Sequence, residues 1–299
     1  MNAFILGIFM QSLIFSIMAM GVYITYKFLD FPDLSVDGTF TLGASVSAIL
    51  ISKGINPFIA LSFSIITGAL AGTMTGLLNV RLKIKDLLSG ILVMLGLYSI
   101  NLRIMGKANL PIFNNATIFS KDSLTFNLFI ALGFSVVCAA LFTIFFKTKI
   151  GYLIKATGNN ENMVTSLGIS TGNVRILGLA LSNALVALSG GIFAQYQGYS
   201  DINMGTGTIV IGLASIIMAH SIFKNLRLFT PSLLCIIGAF LYRASISLSL
   251  RIGFNPSDLK LISCIIVILA LYLGNNKSAF RLKALPQPKA KRQAGDISA

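Results

Sequence analysis

Residues Lys147–Arg175 read KTKIGYLIKATGNNENMVTSLGISTGNVR, a long polar segment set between two apolar runs of membrane length. Its local chemistry specifies a short surface helix. Asn160 is placed to N-cap a two-turn element whose first turn carries Glu161, the charge that a helix N-terminus favours. Met163, Val164 and Leu167 then share one face. Gly168 can end the element in the left-handed conformation that glycine adopts cheaply, with Ile169 reaching back toward Val164 as in a Schellman stop. A capped amphipathic helix between two spans has two ordinary uses, lying on lipid headgroups or docking into the groove of a partner.

The rest of the chain explains why such a handle is needed. Of 299 residues, 55% are hydrophobic and 11% charged, and the mean hydropathy is +0.85. These values define an all-α polytopic membrane protein and exclude an ordinary soluble domain. The net charge of +14 does not indicate nucleic acid, because the Lys and Arg residues flank apolar runs instead of clustering on one face. Cys138, Cys235 and Cys264 lie inside apolar runs without paired spacing, so neither a disulfide framework nor a metal site is expected.

About nine spans are expected, with eight or ten as alternatives. Ala3–Tyr26 reads as a retained first helix, followed by KFLDFPDLSVDG, where Pro32 and the Asp residues break one helix and cap the next. The second span, from Thr39 to Ser52, is short: some 14 residues cover roughly 21 Å of a core about 30 Å thick. Either the DLSVDG backbone dips into the membrane or the helix is broken. The third span opens at Asn56–Pro57 and carries Ala60, Ser64, Gly68, Gly72 and Gly76 at every fourth position, a small-residue stripe for close helix packing, within the chain or between subunits. Spans follow at Leu87–Met105, Asn127–Phe146, Ile176–Gln197, Thr206–Ala219 and Pro231–Leu250, then an apolar run over Leu259–Leu273. Residues 1–274 thus form the membrane domain and 275–299 a basic cytoplasmic tail expected to be disordered.

With the N-terminus outside, 16 of the 23 Lys and Arg residues fall inside, including Lys27, Arg81, Lys83, Lys85 and those of the central loop and tail; seven, Arg243 among them, fall outside. The positive-inside rule selects this arrangement, with the central loop and the C-terminus in the cytoplasm. The short second span then starts from inside and the short seventh from outside, as in an inverted repeat. Paired short segments of this kind point to a route near the midplane, since irregular backbone survives there only where it is buried or lines a cavity. Thr39, Thr41, Thr206 and Thr208 are the expected lining residues, with Asn183 from the sixth span; ordinary helix-start chemistry is the alternative for the threonines. His220 reads as a boundary histidine before a proton-coupling one.

The motif G-Y-L-I-K-A-T-G-N-N-E-N, then S-L-G-I, then an Arg opening a new span, resembles the cytoplasmic loop of permease subunits in the ABC importers of branched-chain amino acids, ribose-type sugars and nucleosides. D-L-S-V-D-G at Asp33–Gly38, G-x-x-N at Gly76–Asn79 and G-T-G at Gly205–Gly207 fall in the family's order. The resemblance implies a bacterial inner-membrane importer, with the loop seated in a cytosolic ABC ATPase. Gly151, Lys155, Gly158, Asn160 and Gly168 are the matching coupling positions, and Glu161 shares their element. It further implies an extracytoplasmic substrate-binding protein and, from a single-permease branch, a second copy of this chain. An amino acid is the first guess for the solute. Thr208–Ala214 and Ala219–His220 depart from the sugar-importer pattern.

No G-x-x-x-x-G-K-[ST] loop occurs, so ATP hydrolysis is expected on a separate chain; no nucleophile–base–acid set suggests an enzyme, and no cofactor is implied. An ion-coupled secondary transporter would share the inverted halves. It is disfavoured by the scarcity of ionisable residues deep in the spans.

Overall fold

The computed structural model describes residues 2–119, 124–223, 230–255, 258 and 261–269. Helix α1 (Asn2–Tyr23) runs into a π-helical turn over Ile24–Phe28; α2 (Ser35–Ser52), α3 (Pro57–Val80), α4 (Asp86–Met105) and α5 (Leu124–Phe145) follow. The polar stretch forms α6 (Lys149–Asn159) and α7 (Glu161–Ser166), after which α8 (Thr171–Gln197), α9 (Thr208–Phe223) and α10 (Pro231–Ile252) complete the bundle. Two short strands, β1 (Asn109–Pro111) and β2 (Tyr199–Asp201), pair antiparallel at one end. Among the described residues, seven helices are long and apolar enough to cross a membrane, and α9 is a shorter apolar helix. Residues 261–269, within the last apolar run, are helical as well. The tail, Lys224 and Arg227 lie outside the described residues.

The helix starts follow from their caps. Asn56 accepts the Phe58 N–H at 2.9 Å ahead of Pro57, which needs no donor at the first helical position. Asp33 accepts the Ser35 N–H at 2.9 Å, so α2 begins at Ser35. The second span is therefore longer than the Thr39 start implied, because the last four residues of DLSVDG, Ser35–Gly38, are themselves helical. The backbone before it does run into the bundle: Leu29 lies against Gly178 and Ser35 against Asn183, so residues 29–34 climb along α8 in non-helical conformation. Asp30 takes a left-handed φ of 52° there, a conformation Asp tolerates.

Helices α1, α2 and α8 form the buried centre. Helix α8 packs on α2 and α3, α1 packs on α9 and α10, and α1 crosses α8 between them. Exchanging α1 with α8, α2 with α9 and α3 with α10 carries one set of neighbours onto the other, the arrangement of two related halves. The α3–α8 contact rests on the small-residue stripe. A Cβ at Gly68 would overlap Asn183 and Ala187, one at Gly72 the Leu179 carbonyl, and one at Gly76 would lie 2.9 Å from the Ile176 Cα. Ser64 uses the same proximity toward α2, donating to the Gly43 carbonyl at 2.9 Å.

Candidate functional site

The site has two parts, a junction inside the bundle and an element on its surface. At the junction, two chain segments enter from opposite ends and start helices there. Asn183 stands twelve residues into α8, about 18 Å from its start. Its amide donates to Asp33 at 2.8 Å, and Ser35 donates to its oxygen at 3.3 Å, which fixes the level at which α2 begins. From the other end, α8 stops at Gly198 and the chain turns through β2 before descending to α9. The Gly205 N–H donates to Thr41 Oγ1 at 3.0 Å. The Gly207 and Ile209 N–H groups each donate to Asp37 at 2.8 Å, and the Thr208 hydroxyl donates to it at 3.0 Å. Asp37 of α2 thus caps α9. A carboxylate at a helix N-terminus meets both the orphan N–H groups and the positive end of the helix dipole.

Thr39, Thr41, Thr208 and Asn183 are buried in this junction, and Thr206 is exposed beside it. Thr39 donates to its own helix at Ser35. The structure brings Thr41 and Thr208 together through Asp37 and its helix, and joins Asn183 to Asp33 one turn below. The sequence motif DLSVDG contains both carboxylates, and reading them as breaking one helix and capping the next in sequence misses that Asp37 caps a helix of the other half. The signal available was a pair of carboxylates at the start of a membrane span, where each needs a buried partner.

On the surface, α6 precedes the helix expected from Asn160 and was not foreseen as an element of its own. Thr148 starts it by accepting the Gly151 N–H at 3.3 Å. Gly151 and Gly158 seat it: a Cβ at the first would overlap the Phe145 carbonyl, and one at the second the Phe28 carbonyl at the end of the π-helical turn that follows α1. Lys155 turns toward its own chain, donating to the Phe146 carbonyl at 3.1 Å with its ammonium 4.9 Å from the Phe28 ring centroid. Partial burial lowers its pKa below the ordinary lysine value. Helix α7 has the expected ends. Asn160 accepts the Met163 N–H at 3.1 Å, and Gly168, at φ 75°, donates to Thr165 at 2.9 Å. The expected apolar face is divided, with Val164 buried and Met163 and Leu167 exposed. Tyr152 and Ile150 of α6 are exposed on the same element.

Glu161 connects this element to the spans. It pairs with Arg175 of α8 at 3.5 Å, and Arg175 also donates to Asn79 of α3 at 3.3 Å. Asn79 in turn donates to Asp86 of α4 at 2.6 Å and to the Ile84 carbonyl at 2.8 Å. The Asn of G-x-x-N and the Arg that opens the sixth span are thereby parts of one relay.

Arg243 corrects a second reading. It lies inside α10, half-buried, with its guanidinium 3.9 Å over the Phe15 ring and Nε buried without a hydrogen-bond partner. It is therefore no marker of an outside loop. The spans are also less free of charge than expected, since Asp33 is buried among them and Asp37 stands in the first turn of α2. A lone Arg midway along an apolar run was the sequence signal.

A bundle of membrane-length apolar helices with two related halves is the architecture of a polytopic membrane protein. Residues 4–271 match the family described as branched-chain amino acid transport system / permease component, and the chain belongs to that family. It is 47% identical over 286 residues to a tyrosine transport system permease protein of Clostridioides difficile (strain R20291), covering 95% of this chain and 96% of that one. It is 27% identical over 291 residues to a probable branched-chain amino acid transport permease protein LivH of Methanocaldococcus jannaschii, covering 90% and 89%. In fold it resembles PsaBC from Streptococcus pneumoniae, solved in complex with Fab, with a TM-score of 0.55 and 16% identity over 94% of this chain and 95% of that one. The protein is thus a multi-pass permease subunit of an ABC importer and not itself an enzyme. Family membership implies an ATPase subunit and a substrate-binding protein as its partners.

Proposed function

We propose that this permease imports an amino acid, most closely one with an aromatic side chain, across a bacterial cytoplasmic membrane. The observation that carries the reading is the 47% identity, over nearly the whole of both chains, to a permease named for tyrosine transport. Two copies would associate with two cytosolic ATPases, with α6 and α7 in the cytoplasm and the β1–β2 end facing the binding protein. The excess of Lys and Arg on the α6–α7 side supports that orientation. The exposed Met163, Leu167, Tyr152 and Ile150 supply the apolar surface that an ATPase groove would cover.

Closure of the ATPases would move α6 and α7 as a lever. Its force would pass to α1 through the Gly158–Phe28 contact and to α3, α4 and α8 through the Glu161–Arg175–Asn79 relay. The junction at Asp37 is the place where the two halves would part. Thr39, Thr41, Asn183, Thr206 and Thr208 would then exchange their present partners for water and solute, lining the path. Uptake of labelled amino acids into proteoliposomes holding the permease, its ATPase and its binding protein tests this. ATP-dependent accumulation of tyrosine that survives collapse of ion gradients is the expected result. Accumulation driven by a sodium or proton gradient without ATP would overturn it.

A further inference from the structure

We propose that Arg243 receives the carboxylate of the transported amino acid, and that the aromatic row beside it receives the side chain. This deepens the amino-acid reading above and rests on it. Arg243 stands twelve residues after Pro231 and nine before Ile252, about 18 Å and 13 Å from the two ends of α10. A guanidinium so deep in a span must face other protein groups or a water-filled space, because hydrocarbon cannot solvate it. Here its protein partners are incomplete. The one ion pair among the described residues is Arg175–Glu161, on the α6–α7 side, and Arg243 Nε has no acceptor. What it does have is the face of Phe15 at 3.9 Å.

From that ring a row of aromatic contacts leads outward. Phe15 meets Phe193 edge-on at 5.0 Å between centroids and stacks on Phe40 at 5.8 Å. Phe193 lines a cavity of about 570 Å³ beside the β1–β2 strand pair, together with Gln197, Tyr199, Asp201 and Asn203. Guanidinium and rings thus form a packed series that reaches the cavity through Phe193, on the side where the proposed orientation places solute entry; parting of the halves would open the buried Phe15 and Phe40 faces to the solute. The chemistry of the series is that of an amino acid with an aromatic or large apolar side chain. The planar fork of Arg matches a carboxylate, and stacked rings accept another ring. Among the described residues Arg243 Nε has no acceptor, and that donor is left for the solute.

The first test is uptake by the complete importer in proteoliposomes, comparing Arg243→Gln and Arg243→Lys with the wild type and measuring ATP hydrolysis in the same vesicles. The expected result is a loss of tyrosine uptake of at least tenfold in Arg243→Gln with ATP hydrolysis retained, and partial recovery in Arg243→Lys, which keeps the charge. Unchanged uptake by Arg243→Gln overturns the proposal. Should that variant fail to assemble, the wild-type permease–ATPase complex decides alone, through binding of labelled L-tyrosine in detergent. Displacement by 3-(4-hydroxyphenyl)propionate but not by tyramine is expected, since only the former keeps the carboxylate. Displacement by tyramine alone, or by neither compound, overturns the role of Arg243. A wild-type importer that moves no amino acid would overturn the function proposed above instead, a result distinct from a loss confined to the variant.

Discussion

Ile209 donates its backbone N–H to Asp37 Oδ1 at 2.8 Å, although 172 residues separate the two in sequence. The first turn of α2 therefore supplies the cap of α9, and the sealing of one half of the bundle depends on a carboxylate from the other. Gly205 and Gly207 carry no side chain and Thr206 is exposed, so Asp37 is the acceptor that the first turn of α9 uses.

Asp37→Ala leaves the N–H groups of Gly207 and Ile209 and the Thr208 hydroxyl without their acceptor. Charge-assisted hydrogen bonds of this kind contribute about 2 kcal/mol each when truncated against partners left behind. The expected outcome is a melting temperature several degrees lower in detergent, with Asp37→Asn falling between, because one amide oxygen still accepts. An unaltered melting curve for Asp37→Ala would show that the cap is dispensable.

Gly158→Val places a branched side chain against the Phe28 carbonyl, so α6 must lift from the π-helical turn after α1. Membrane insertion should be unaffected, because every span keeps its sequence, while uptake and recovery of the ATPase on the tagged permease should both fall by tenfold or more. Asn160→Ala removes the acceptor for Met163 N–H and costs about 1 kcal/mol of α7 stability. A smaller reduction in the same two measurements is expected.

Gly72→Leu tests the α3–α8 crossing. The Leu179 carbonyl leaves no room even for a Cβ, and overpacking of a tight contact costs about 1–3 kcal/mol before the larger side chain is counted. The variant should yield little monodisperse protein by size-exclusion chromatography. A substitution to Leu at Gly133 of α5, which has nothing near its Cβ position, serves as the tolerated control.

Arg175→Ala separates coupling from stability. The Glu161–Arg175 pair is half exposed, and such pairs contribute about 1 kcal/mol or less, so the melting temperature should change little. Hydrogen exchange of α7 amides should nevertheless quicken, and transport per ATP hydrolysed should fall. Unchanged exchange in α7 would mean that the relay does not restrain it.

Much of this was legible along the chain. Spans three, four, five and eight begin and end within a few residues of their apolar limits, because a bilayer demands about 20 apolar residues per helix and Asn56–Pro57 marks a start by its own chemistry. Both ends of α7 were readable for the same local reason, as Asn160 and Gly168 act on residues three or four positions away. Helix α6 was not, since its seat consists of two glycines whose partners, Phe145 and Phe28, matter only once α5 and α1 are in place. The start of α2 differs for a related reason: hydropathy penalises Ser35 and Asp37, whereas Asp33 and Asn183 satisfy Ser35, and the start of α9 satisfies Asp37.

Composition, hydropathy and caps thus determined by themselves that this is a bundle of apolar helices with a structured polar handle, since those properties act within one helix length. Only the tertiary structure decided what the charged residues inside the bundle do. Asp37 caps a helix of the other half, Asn79 and Arg175 join three spans to α7, and Arg243 lies over Phe15. The physical reason is that a buried charge is defined by the groups that solvate it, and those groups come from distant segments.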